Sequence, residues 1–309
     1  MNIATIINYC SNEKAFLEKV ISGVNSFSKS IFVVVCDHFF NGEKEDIAQI
    51  KKDAQRLAMA QFIVYPYEKR LEHTKIFKRI GQANFWHSFS RYLGFSKLTD
   101  AVDYVLFLDA DEVVDGDAFN RWLLTDEYKQ FDVMKLANYW YFLFEHLRAK
   151  VFEDSAVLIK KNRITANLLL TKEERNTLYD VLNGPKKRMV LGVDSKPMIH
   201  HYSWVRSQAQ MLKKVMSWGH KNDKDWTKLV TEAFEKKDLK KDFVHGYELE
   251  KIDKIFSNPP LFNPNHVNNY YQVSAEEVIE LLEKKTQRLF RLFNFFSKDK
   301  IIAEKKSSF

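Results

Sequence analysis

The chain has 309 residues, 45% hydrophobic and 14% aromatic, with a net charge of +7. That is ample for a sizeable core in one large domain or one domain with an appendage, and 9 Gly and 6 Pro exclude collagen-like or low-complexity structure. The excess charge is local: Lys284 to Phe309 carries eight Lys and Arg against Asp299 and Glu304. The remainder is close to neutral, which argues against a general nucleic-acid surface.

Met1 to Ile7 lacks a basic segment followed by a long apolar core, so it reads as a first strand and not a signal peptide. Asn12 is placed to cap the next helix, where Phe16, Leu17, Val20, Ile21 and Val24 recur at helical spacing. Ile31 to Cys36 is a fully buried strand ending at Asp37. Ile47, Ile50, Ala54 and Leu57 mark a second helix, and Phe62 to Tyr65 a third strand closed by Pro66. Cys10 and Cys36 both lie in apolar runs and read as buried, reduced thiols, in keeping with a cytoplasmic protein.

A long aromatic-rich helix is expected over 79–98, with Trp86, Phe89 and Leu93 on one side. Tyr104 to Leu108 is then a buried strand. The alternation of strand and helix predicts right-handed crossovers and a mainly parallel sheet. Further on, Phe131 to Phe144 is β-prone, and Ser155 to Ile159 reads as a short strand. Leu168 to Gly184 is ambiguous and reads as a loop. Lys196 to Trp204 is a late strand containing His200 and His201. From Arg206 the pattern turns helical. A capping box at Ser274 to Glu277 opens a last helix that runs into the basic tail. The division expected is 1–205 for the α/β domain and 206–309 for a helical C-terminal region. No run approaches the roughly 20 apolar residues of a spanning helix.

The strand 104–108 ends in Asp109-Ala110-Asp111-Glu112. Carboxylates one residue apart, at the edge where open α/β sheets place ligands, can share one divalent cation. Such a cation neutralises a diphosphate, which points to a nucleotide-activated substrate.

In order, several segments resemble family-2-type glycosyltransferases of the GT-A fold. Asn8-Tyr9-Cys10-Ser11-Asn12-Glu13 is similar to the family's first-strand T-Y-N-E signature, with two extra residues. Ser90-Arg91-Tyr92-Leu93-Gly94 looks like its A-R-N-x-G, and Leu108 to Glu112 matches its L-D-A-D-E. His201-Tyr202-Ser203-Trp204-Val205-Arg206 is similar to an H-Y-G-W-V-R segment of a bacterial branch. Asp37 stands where the family has an acidic base-binding residue, but the usual D-D-G-S-T-D is absent.

The resemblance implies a Rossmann-like nucleotide-sugar-binding domain. Its function would be metal-dependent, inverting sugar transfer from a donor such as a UDP-sugar to a bacterial surface glycan, either a lipopolysaccharide core or a lipid-linked oligosaccharide. Asp109 and Asp111 would hold Mn²⁺ or Mg²⁺. His201 either completes that shell or is a hydrogen-bonded strand-end histidine. Tyr9 and Asp37 would read base and ribose, although Asp37 can equally cap a turn. Arg91 would sit near the diphosphate or the aspartates. The base that takes the acceptor proton is sought among carboxylates, Asp154 first and Asp180 second, with Glu153 and Glu145 behind them. Lys213, Lys214 and Lys221 either close over the diphosphate or form a solvated helix face. The tail reads as a basic amphipathic helix, either on an anionic membrane surface or packed on the domain. A nucleotidyltransferase and a non-catalytic, membrane-associated sugar-binding protein are the rival readings.

Overall fold

Strands that are apolar on both sides need cover on both sides, and the chain supplies it. The computed structural model describes residues 1–73, 77–78, 81–171, 175–217, 222–236, 238–259 and 269–283. Its strands are β1 Ile3–Tyr9, β2 Ser28–Cys36, β3 Gln61–Tyr65, β4 Tyr104–Asp109, β5 Glu112–Val114, β6 Val133–Phe142, β7 Phe144–Lys160, β8 Lys186–Val190, β9 Ile199–Trp204, β10 Leu249–Lys251 and β11 Tyr270–Gln272. They form one mixed sheet in the order β11-β3-β2-β1-β4-β7-β6-β9-β5, with β10 on β7 and β8 on β6. β11, β3, β2, β1 and β4 run parallel, and β7 enters antiparallel beside β4. The expected mainly parallel α/β sheet is therefore the fold.

Alternation along each strand sorts the core into two layers. Ile3, Ile7, Leu106 and Leu108 face helix Lys14–Asn25, with Phe16, Leu17, Val20, Ile21 and Val24 packed against them. Ile6, Val34, Val105 and Phe107 face helix Gln82–Ser96, with Trp86, Phe89 and Leu93. A third cluster joins Trp140, Phe142 and Trp204 to helices Gln208–Ser217 and Trp226–Glu235 through Met211, Val215, Trp226 and Val230.

Several expectations are corrected. Asn12 caps no helix: Ser11–Glu13 is a 3-10 turn, the helix begins at Lys14, and the Asn12 side chain donates to the Gln210 carbonyl (3.2 Å). The short strand expected at 155–159 is the end of the 17-residue β7, which forms a hairpin with β6 around Leu143, at φ 58°. The ambiguous stretch 168–184 holds helices Ala166–Thr171 and Arg175–Val181. The C-terminal region is not wholly helical, because β10 and β11 join the main sheet. Ser274 does cap the helical residues 275–283, accepting from the Glu277 N–H (3.1 Å). The basic tail, 284–309, lies outside the described residues. Among the described residues no helix is long and apolar enough to cross a membrane. Both cysteines are free thiols, and Cys36 is buried.

Gly94 lets helix Gln82–Ser96 lie against β1 and β2. A Cβ there would stand 2.7 Å from Ile6 Cγ2 and 3.1 Å from Val34 Cγ2. The same helix carries Arg91, so this close approach sets the reach of that guanidinium. Gly94→Val should destabilise the protein by about 1–3 kcal/mol through overpacking, read as a lower urea midpoint at unchanged slope.

Candidate active site at the switch point of the sheet

From β1 the chain steps outward to β2 and β3, then returns to the other side of β1 as β4. Such a reversal opens a crevice beyond the carboxyl ends of the two diverging strands, where open α/β sheets bind ligands. Asn8 of β1 and Asp109 of β4 are register partners at that point. Strand parity puts Asp109 on the layer of Phe107, facing the helix that carries Arg91 and His87.

A compact ionic network fills this corner. Asp109 Oδ1 lies 3.9 Å from Arg91 and Oδ2 lies 3.6 Å from Arg175. Glu112, fully buried, accepts two bonds from Arg175 (2.5 and 2.6 Å) and one from the Asp109 N–H (2.8 Å). Asp111 Oδ2 accepts from Arg206 (2.8 Å) and lies 3.5 Å from Lys214 Nζ. Arg206 also donates to Glu13 (2.9 Å). The antiparallel pairing of β5 with β9 sets Glu112 beside His201 and brings His201 Nε2 to 3.6 Å from Asp111 Oδ1. That gap is too long for a hydrogen bond.

The network fixes the charge states. Burial works against ionising Asp111, but Lys214, His201 and Arg206 outweigh it and hold the carboxyl well below its usual range. At Asp109, Arg175 and Arg91 likewise overcome burial and lower the value. His201 is raised, its burial outweighed by Asp111. Burial and then Arg91 bring His87 down to about 4. Burial and the Asp111 charge push Glu13 up to about 8, so this carboxyl holds a proton at neutral pH.

Of the other residues expected to act, only Lys214 joins this network. Tyr9 does not face the crevice: parity places it with Ile7, buried, donating to Asp53 (2.9 Å). Asp37 accepts from the Tyr67 N–H and pairs with His38 Nδ1, both at 2.6 Å, so it braces the turn after β2. Asp154 is bound to Lys135 (2.5 Å) and to Arg188 (2.9 and 3.0 Å), so its lone pairs are engaged away from Asp111. Asp180 is exposed on the helix that carries Arg175 inward. Glu145 pairs with Lys19 (2.8 Å), and Glu153 lies 3.5 Å from His245. His200 points away from His201, bonding Tyr141 and stacking on Phe256. Lys213 sits over the Phe39 ring (3.9 Å), and Lys221 lies outside the described residues. Lys214 is not on a solvated face; it is a member of the network.

Sequence reasoning gave no role to Arg175, Glu13 or Arg206. Arg206 closes the quoted His201 segment, which was a usable signal. Arg175 stands 63 residues from Glu112, with no local pattern linking them.

The donor types suit a hard or borderline dication: two carboxylates and an imidazole. Asp109 Oδ1 is buried without a hydrogen-bond partner, and the Asp111–His201 gap is open. Yet among the described residues no three His, Cys, Asp or Glu side chains close on one point. Arg206 and Lys214 occupy the second oxygen of Asp111. The residues fit the ion in kind, with cations where closure would occur.

No protein-family model matches the chain, and no curated protein matches it either. Among solved structures it is similar to 4-diphosphocytidyl-2C-methyl-D-erythritol synthase from Anaerococcus prevotii, at 12% identity over 69% of this chain and 95% of that one, TM-score 0.41. It is also similar to the glycosyltransferase GlyE of Streptococcus pneumoniae, at 12% identity over 76% of this chain and 64% of that one, TM-score 0.38. The apo form of GlyE gives 13% identity, the same coverage and TM-score 0.35. Likenesses this distant assign no reaction.

Asp154 gives a clean test of its own part. Arg188 and Lys135 outweigh burial and lower its carboxyl, so its stabilising effect is complete above an ordinary aspartate value of ~3.9 and is lost as pH falls through the depressed one. Asp154→Asn leaves the buried Lys135 ammonium unpaired and should cost on the order of 3–5 kcal/mol at pH 7. The deficit should shrink in melts taken from pH 5 towards pH 3. Full stability in the variant, with turnover lost, would instead make Asp154 a base.

Proposed function

We propose that the protein is a glycosyltransferase that binds a nucleoside-diphosphate sugar at the carboxyl ends of β1 and β4. The observation that carries this reading is the Asn8–Asp109 register at the switch point, with Asp109, Asp111 and four cations gathered beside it. The motif order in the sequence supports transfer with inversion, a UDP-linked donor and a bacterial surface glycan as acceptor. The basic tail favours an acceptor at an anionic membrane.

Asp109, Asp111 and His201 would hold Mn²⁺ or Mg²⁺, which when bound supplies Lewis-acid neutralisation of the departing diphosphate. The chain's own residues do the rest. Arg175 clamps Glu112, and Glu112 fixes the Asp109 backbone, so the strand end cannot swing. Arg91 and Arg206 are fixed positive charges near the site of developing negative charge. Asp180, free of the ion pairs that bind Asp154, is the base we assign to the acceptor hydroxyl. Asp180→Asn should lower turnover by roughly 10²- to 10⁴-fold while leaving UDP binding intact. Lost UDP binding, or unchanged turnover, would remove it from that role.

The direct test is incubation with a panel of nucleotide sugars and Mn²⁺, following the phosphate-containing product. Nucleoside diphosphate should be released, and Asp111→Ala should lose at least a hundredfold of that release. Pyrophosphate as the product would identify a nucleotidyltransferase. No product, and no rise in Tm with any nucleotide, would leave a sugar-binding protein without catalysis.

A further inference from the structure

Next to the ionic corner, one face of the sheet carries polar side chains for which the proposed reaction has no use. The β6–β9 ladder pairs Trp140 with His201, and the β6–β7 ladder pairs Asn138 with Glu153. Asn138 and Trp140 are two apart on β6, so all four share a face. Tyr141, His200 and Tyr202 stack together on the other face. Asn138 is fully buried; its Nδ2 donates to Ser155 (3.0 Å), and its Oδ1 has no partner. His201 Nδ1 is likewise buried without a partner. Such atoms are costly to bury unmet.

The loop 242–247 closes over this row. The buried Asp242 carboxylate accepts from the N–H groups of Val244, His245, Gly246 and Tyr247, at 2.6–3.2 Å, and Gly246 supplies a φ of 78°. The loop is therefore shaped before any ligand arrives. It sets His245 edge-on to Trp140 (5.2 Å between centroids) and stacks it on Tyr247 (5.1 Å). His245 Nε2 lies 3.5 Å from Glu153. Asp109, Asp111, Glu112 and Asp154 are each matched by Lys or Arg; among the described residues Glu153 is paired with neither.

The chemistry selects the ligand. An anion would meet the Glu153 carboxylate with no cation beside it to offset the repulsion. Asn138 Oδ1 and Glu153 accept hydrogen bonds, and His201 Nδ1 accepts or donates by tautomer. A hydroxyl serves all three. The C–H face of a sugar ring suits the exposed His245 ring and the half-buried Tyr247 ring. We propose that Glu153, Asn138, His201, His245 and Tyr247 form a subsite for one uncharged sugar ring, between the ionic corner and the 242–247 loop. Only the source of that ring, donor sugar or acceptor glycan, rests on the glycosyltransferase reading.

The test is saturation-transfer NMR on the full chain with the methyl glycosides of glucose, galactose, mannose and N-acetylglucosamine, without nucleotide. At least one should receive saturation at its ring protons. Glu153→Ala should weaken its binding roughly tenfold, the loss of one hydrogen bond to a charged group. His245→Ala, which leaves the sheet untouched, should weaken it several-fold. No transfer to any of these glycosides, or transfer that both variants keep in full, overturns the subsite whatever nucleotide sugars do. Binding lost in the variants, with no nucleoside diphosphate released from any nucleotide sugar, upholds the subsite and removes the transferase reading instead. Adding UDP-glucose, UDP-galactose and UDP-N-acetylglucosamine in turn separates the sources: displacement of the glycoside makes the ring the donor's, and persistence makes it the acceptor's.

Discussion

A carboxylate held charged almost out of water is the constraint on which the rest of this site depends. Asp111 is 2% exposed and stays ionised because basic side chains from distant parts of the chain reach it. Arg206 comes from the end of β9, Lys214 from the helix that follows, and His201 from β9 itself. Losing any one would leave charge uncompensated in a low dielectric, so the corner ties together the α/β sheet, the β5–β9 ladder and the C-terminal helices.

The sheet makes that convergence possible. Asp109 belongs to β4 and shares the layer of Phe107, so it meets the helix that Gly94 lets lie close. Two residues on, Asp111 precedes β5, whose antiparallel pairing with β9 brings His201 alongside. One short turn therefore aims two carboxylates at two different cation sets. Arg91 and Arg175 serve Asp109; Arg206, Lys214 and His201 serve Asp111.

Much of the fold was legible in the sequence because its signals are local. Buried strands read as apolar runs, and helix Lys14–Asn25 shows its period in Phe16, Leu17, Val20, Ile21 and Val24. The strand-end aspartates were legible for the same reason. The partners were not, since an ion pair leaves no trace at either residue alone: Arg175 sits in a stretch with no clear period, and Lys214 looks like any helix-surface lysine. Three-residue strands such as β10 and β11 are too short to show alternation. Tyr9 was misplaced although the information existed. Its parity with Ile3 and Ile7 already turned it toward the core, where Asp53 takes its hydroxyl. The ion pairs of Asp154 are supplied only by the tertiary structure: Lys135 and Arg188 reach its two oxygens from other parts of the chain.

The network also gives the glycosyltransferase reading its physical content. With Glu13 protonated, Asp109, Asp111 and Glu112 face four cations, so the corner keeps positive charge to offer an anionic ligand. The most direct check is a crystal structure of the protein grown with UDP and Mn²⁺. The account predicts the diphosphate beyond the carboxyl ends of β1 and β4, beside the cations gathered there. A nucleotide bound elsewhere on the molecule would contradict it.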